Sequence, residues 1–463
     1  MKRLLGNVLG LIVVAVGATP SAVVAQESKK SQAIDIGQRL ELFVDRQLVE
    51  NLEGVEFRLH EPQAAPLPKN PLPIVYTTVI KDGNLYRAYY RESLASYTGP
   101  KHDGHPGEVT CYAESRDGHE WTFPDLGISD VASANGKNLI LEGAAPFSHN
   151  FSPFLDARPD AERKERFKTL AGSHRGGGLY AFASADGIHW KKMLNKPVIT
   201  SEGYGFDSQN VSFWSTVEQQ YVCYFRTLIT PHGQLRTISR TTSKDYLNWT
   251  EAVAMNPNLP DEHLYTNQTH PYFRAPHLYI ALPTRFVPKR GSSTDILFMA
   301  TRAGSTKYER LFTEAFIRPG LDKTRWGNRS NYVALNVVPT GPAEMSIYHK
   351  SGHRYVLRTD GFVSARVGSS AGELLTKALK FSGKSLVVNF STSAVGSLQV
   401  EIQDAQGKVV PEYGITDCPE IVGDDIAQTV RWKESTDVGE LIGKPIRLRF
   451  VMTQCDLYSF RFK

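Results

Sequence analysis

Four short stretches of this 463-residue chain set polar or ionisable side chains immediately ahead of apolar runs. They are His149 and Asn150 before Phe151; Asp207, Gln209 and Asn210 before Val211; Asn267, Gln268 and His270 before Tyr272; and Glu344 before Met345. Burying such groups costs free energy unless they are paired, so they form either a hydrogen-bonded axis or a ligand site. Asp207 and Glu344 are carboxylic acids, the groups that acid–base and nucleophilic chemistry uses. A second set is cationic and closes apolar runs: Arg91, Arg175 beside His174, Arg226, Arg285 and Arg358. Guanidinium forks match sulfate or carboxylate groups, or they pair with local acids such as Glu92. His102, Asp103 and His105 have metal-binding side chains, but a Gly-rich loop of this kind is more simply a solvated one. No metal and no cofactor is expected.

What must position these residues is a repeated strand-and-turn unit. Ser, Asp and Trp stand at relative positions 0, +2 and +6 in Ser115/Asp117/Trp121, Ser184/Asp186/Trp190 and Ser243/Asp245/Trp249. A degenerate fourth copy surrounds Ala303 and Gly304, with Tyr308 one place late. Asp117 to Asp186 is 69 residues and Asp186 to Asp245 is 59. The Asp accepts hydrogen bonds from turn amides, Gly (Tyr246 in the third copy) takes positive φ, and Trp packs onto the next layer. Each copy follows a strand-like run, and an apolar strand pair leads into it. Four strands per roughly 60 residues is the pattern of a propeller blade. Residues 40–360 hold five such units, the fifth running through residues 331–368. In that architecture the first strand of every blade lines the axis. Its start, and the exit of the second strand, face one mouth, where the polar stretches and the arginines above would meet. The fifth first strand is expected to begin at 341–344.

Composition agrees with an all-β chain. Gly 37 and Pro 26 indicate many turns, and 20 Tyr with 22 Phe favour strands. Lys+Arg 53 against Asp+Glu 48 is too balanced for a nucleic-acid binder. Residues 1–25 join a basic start, an apolar run and a small-residue stop at Ala25, which reads as a secretory signal peptide or, alternatively, a membrane anchor. No later stretch reaches 18 apolar residues, so a mature chain without a transmembrane segment, secreted or periplasmic, is expected. Cys111 and Cys223 read as buried thiols, while Cys418 and Cys455 fall in one region where a bridge is possible. After Gly361 the chain turns to short alternating strands, which gives a five-bladed β-propeller at 35–360 and a β-sandwich at 361–463. Trp432, Tyr413 and Tyr458 are the sandwich aromatics that could meet a glycan.

The stretch Thr242 to Trp249 (TSKDYLNW) resembles the strand turn of five-bladed propeller glycosidases of glycoside hydrolase families 32 and 43. Residues 42–50, 149–156, 206–214 and 340–348 resemble segments of secreted bacterial proteins similar to family 32. The sialidase Asp-box has one more residue between Asp and Gly, which favours five blades over six. The resemblance implies an exported hydrolase of glycosidic bonds acting on a poly- or oligosaccharide. Glu344 would be the general acid, its pKa raised by an apolar pocket, and Asp207 the base, nucleophile or stabiliser. His149, Asn150, Gln209, Asn210, Asn267, Gln268, His270, Arg91, Arg175, Arg226 and Arg285 would bind substrate, which the arginines suggest is sulfated or uronic. The family's acid at the first inner strand is missing, since residues 73–78 carry none. Asp45 and Asp156 read as structural, and Glu108 or Asp103 could supply a third carboxylate. His149 or His270 could hold an axial ion, as in some family 43 enzymes. The alternative functions are a non-catalytic glycan-binding propeller or another propeller enzyme, such as a lyase using Tyr76 with His149 or His270.

Overall fold

The computed structural model describes residues 33–201 and 203–463. The expected signal segment, 1–25, lies outside the described residues. Among them there is no α-helix, only short 3-10 turns between strands, and no helix is long or apolar enough to cross a membrane.

Small antiparallel sheets follow one another along the chain, each strand pairing with the next. Sheet I contains Thr78–Asp82, Leu85–Ser93, Glu108–Ser115 and Leu139–Leu141. Sheet II contains Phe154–Leu155, Phe167–Ser173, Gly178–Ser184 and Lys191–Lys192. Sheet III contains Val211–Ser215, Gln220–Thr230, Gly233–Ser243 and Val253–Ala254. Sheet IV contains His270–Tyr272, Ala275–Ala281 and Met299–Arg302. Between its last two strands the chain leaves to form Thr284–Val287 and Ser293–Ile296, which with the earlier His263–Leu264 make a companion sheet. Sheet V contains Val338–Pro339, Glu344–Tyr348 and Arg354–Arg358, and its outermost strand comes from far upstream, Gln63–Ala64.

The repeated turns form as their residue types require. Asp117 accepts from the amides of His119 and Glu120, Asp186 from those of Ile188 and His189, and Asp245 from those of Leu247 and Asn248. Gly118, Gly187 and Tyr246 occupy the same left-handed position at φ 75°, 79° and 71°. Tyr246 is fully buried there, its hydroxyl 3.0 Å from Ser212 Oγ.

Three expectations need correction. Residues 363–367, expected in the fifth unit, instead pair with Glu56–Leu59 and with Ile446–Phe462. They belong to a ten-stranded sheet that also takes Ile34–Gly37, Glu41–Leu42 and Val49–Glu53 from the start of the described chain. The first strands of the 35–360 segment are thus built into the C-terminal sheet rather than the small-sheet region. All four cysteines are buried free thiols, so Cys418 and Cys455 are not bridged. Tyr413, Trp432 and Tyr458 are buried as well, leaving no aromatic platform at those positions.

Candidate functional site

Strand pairing defines the end at which chemistry collects. Tyr76, His149, Asp207, Tyr265 and Tyr332 each precede the first strand of one of the five small-sheet groups. Tyr76, Phe206 and Gln268, also ahead of first strands, hold left-handed backbone at φ 51°, 64° and 48°. Non-glycine residues seldom adopt that conformation, and such strain gathers at functional sites.

His149 sits at the centre, almost fully buried. Its Nε2 is 3.6 Å from Asp207 Oδ1, and its Nδ1 is 2.9 Å from Glu108 Oε2. Arg91 Nη1 donates to the His149 carbonyl at 2.8 Å and lies 2.6 Å from Nδ1, to which the Gly104 amide also approaches at 3.1 Å. Arg226 hydrogen-bonds the other oxygen of Asp207. Asp103 comes from the loop joining two strands of sheet I; one carboxylate oxygen of Asp103, one of Asp207 and a ring nitrogen of His149 lie within 4.8 Å of one another. These three could hold a divalent cation, with Glu108 orienting the imidazole. Arg226 on Asp207 and Arg91 on His149 place competing positive charge on two of the same residues.

One wall of the site is aromatic. The Tyr332 ring stacks between Tyr76 at 5.8 Å and Tyr265 at 5.6 Å. Arg91 lies over Tyr76 at 4.6 Å and Arg226 over Tyr265 at 5.1 Å. Burial, then the neighbouring Tyr265, pushes the Tyr76 phenol up. Burial pushes Tyr265 up too, but the Tyr76 hydroxyl and the guanidinium groups of Arg329 and Arg226 outweigh it and bring that phenol below its ordinary value.

The polar residues flanking His149 and Asp207 form a belt beneath the mouth. Asn150 donates to Phe206 O at 2.6 Å and accepts from Gly172 N; Asn210 donates to the same carbonyl at 3.3 Å. Gln268 donates to Gln209 Oε1 at 2.6 Å and to Val333 O at 2.8 Å, while Gln209 reaches Thr77 O at 3.1 Å. Asn267 donates to Gln209 O and Tyr224 O. His270 donates from Nδ1 to Gln268 O at 2.8 Å and accepts the Val337 amide on Nε2 at 3.0 Å. Asn150, Gln209, Asn210, Asn267, Gln268 and His270 therefore form a buried, largely hydrogen-bonded axis in which Asn210 Oδ1 and Gln268 Oε1 have no partner among the described residues, and His270 has no nitrogen left for an ion.

Glu344 is the other correction. The fifth first strand begins after Tyr332, not at residue 341: Val333 pairs with His349 and Val338 with Ser346. Glu344 opens the second strand, beyond the turn that follows Val338–Pro339, at the end of sheet V away from Tyr332. It is held by Thr340 Oγ1 at 2.8 Å and Arg354 Nη1 at 2.5 Å, with His119 at 3.8 Å. Partial burial acts to raise its pKa, but Thr340 and Arg354 outweigh that and hold the carboxyl below the usual range, the opposite of a general acid.

The predicted cations also divide. Arg91 and Arg226 contact the His149–Asp207 cluster. Arg285 pairs with Asp295 at 2.6 Å, and Arg358 bonds Asn389 and Asp424 against the ten-stranded sheet. Arg175 is exposed on the turn between two strands of sheet II. Asp45 pairs with Arg302, and Asp156 with Lys168 and Tyr221, as structural groups. Tyr265, Arg329, Tyr332 and Lys350 were not legible as site residues. The polar Asn331 ahead of the alternating run 332–339 was the available signal.

No protein-family profile matches the chain, and no curated protein matches it. Among solved structures it is similar to a glycoside hydrolase family 43 arabinoxylan arabinofuranohydrolase from Bacillus subtilis, at 14% identity over 84% of this chain and 95% of that one, TM-score 0.40. It is also similar to a family 32 β-fructofuranosidase from Bombyx mori, at 9% identity over 89% of this chain and 95% of that one, TM-score 0.40. A third is an N-acetylgalactosamine deacetylase from F. plautii, at 12% identity over 86% of this chain and 95% of that one, TM-score 0.42.

Proposed function

We propose that the small sheets form a five-bladed β-propeller, that the ten-stranded region is a β-sandwich shared by residues 34–59 and 361–463, and that the mouth is the active site of an exported glycoside hydrolase. Its substrate is a poly- or oligosaccharide. The observation that carries this reading is the convergence of Asp103, His149 and Asp207 beside three stacked tyrosines. Two carboxyl groups across a bond are what glycosidic cleavage requires, and aromatic faces suit sugar rings. Asp207, fixed between Arg226 and His149, serves as the ionised nucleophile or base. Asp103, on the loop joining two strands of sheet I and without a cation within 4.0 Å among the described residues, serves as the acid, replacing Glu344 in that role. Glu108 and Arg91 orient His149.

Reducing-sugar release from a panel of poly- and oligosaccharides tests this, with Asp207→Asn and Asp103→Asn as controls. Loss of at least a hundredfold in each variant is expected, and full activity in either removes that residue from the mechanism. A second reading, a non-catalytic glycan-binding propeller, is favoured by one observation: Glu108 and Asp207 are already ion-paired. Glycan binding without any turnover would select it.

A further inference from the structure

We propose that Arg329 and Lys350 clamp an anionic group of the saccharide, a carboxylate or a sulfate ester, against the tyrosine wall. This rests on the reading of the mouth as a saccharide site. The arginines that sequence suggested for this task are largely spent: Arg91 faces Glu108 and Arg226 bonds Asp207. Arg329 and Lys350 are different. Both are exposed, and among the described residues neither has a carboxylate within 4.0 Å. Lys350 places its ammonium 5.4 Å from the Tyr332 ring, and its amide bonds Tyr332 O at 2.9 Å. Arg329 acts electrostatically on Tyr265, Tyr76 and Tyr332 and, more weakly, on Asp103. Like Tyr76 and Phe206, it holds a left-handed backbone, at φ 57°.

Arg236 adds charge from the other side, its guanidinium 5.4 Å from the Tyr265 ring, and its Nε is buried without a hydrogen-bond partner. The hydroxyl of Tyr332, a residue only 4% exposed, is likewise unpartnered. Beyond the Arg91–Glu108 and Arg226–Asp207 pairs, Arg329, Lys350 and Arg236 add three further cations around the tyrosine wall, with Asp103 acting on Arg329. Desolvation and the nearby Arg329 and Arg91 hold the Lys350 ammonium below its ordinary pKa, a repulsion that a bound anion relieves. A carboxylate or sulfate accepts hydrogen bonds from an Arg fork, a Lys and a phenol together.

The test is a glycan array carrying polyuronates and sulfated galactans beside their carboxyl-reduced and desulfated counterparts. It is probed with the wild-type chain, Arg329→Ala/Lys350→Ala and Asp207→Asn, with melting curves to check folding. Retention of anionic glycans, weakened at least tenfold by the double variant and by removal of the glycan's charge, is expected. Loss on desulfation alone assigns sulfate, and loss on carboxyl reduction alone assigns a uronate. Neutral glycans bound as well as anionic ones, or a double variant with unchanged binding, overturns the clamp while leaving the saccharide reading standing. No glycan retained or cleaved in either class overturns both.

Discussion

At the residue scale, the position of a carboxyl group decides its use. Asp207 and Glu344 both precede apolar strands in sequence, yet one opens a first strand and the other follows a turn, so they lie at opposite ends of the sheets. Glu344→Gln should therefore leave hydrolysis within about threefold of wild type, since it alters only local contacts with Arg354, Thr340 and His119. One oxygen of Asp103 and one of Asp207 lie within 4.8 Å of each other, on the side of the about 5–5.5 Å carboxyl spacing of covalent retention rather than the 6.5–9.5 Å that leaves room for water. Proton NMR of the first product formed should show retention of anomeric configuration; inversion would break this assignment. The buried histidines set the acid side of stability. Burial brings His270 down to about 4, and burial with the nearby Arg325 brings His349 to about 3. The unfolded chain takes up these protons near pH 6.5, before the folded one does, so stability falls as pH drops through that window. For His270 the loss is on the order of 3 kcal/mol by pH 4. Melting temperature should decline steadily from pH 7 to 4, and a flat profile there would contradict the assignment.

At the element scale, the Asp turns are the most legible part of the chain. Their hydrogen bonds are local, so spacing alone reveals them, and the sheets they end follow. The turn amides, with Ser243 and Asn248, outweigh partial burial and hold Asp245 down to about 2. In the second copy, a Cβ added at Gly187 would meet the Tyr89 hydroxyl at 2.5 Å, on a backbone at φ 79°. Gly187→Ala should cost about 1–3 kcal/mol, visible as a lower denaturation midpoint. Tyr246→Gly tests the opposite case: relief of backbone strain against loss of a buried ring packed on Trp249 and Tyr221. What sequence did not reveal was register between distant segments. The run 332–339 reads equally well as a second strand, and only its pairing with 344–349 makes it the first. The same blindness hid Tyr332 and Lys350, which that pairing brings together, and it hid the hydrogen bonds that the amide belt makes within itself.

At the scale of the whole molecule, the early strands tie both regions together. Gln63–Ala64 completes sheet V against Tyr355 and Val356, while strands between 34 and 59 fill the ten-stranded sheet. Glu41 and Asp45 add ion pairs to Arg302 of sheet IV. A chain lacking residues 33–66 should fail to fold cooperatively, and calorimetry showing an intact transition would refute that dependence. The pairing also orders events in time. Residues 63–64 leave the ribosome about 290 residues before their partners, roughly 15–60 s at ordinary elongation rates. For that interval the early segment is an open hydrogen-bonding surface, and whatever keeps it from neighbouring chains during synthesis governs how much active protein a cell obtains.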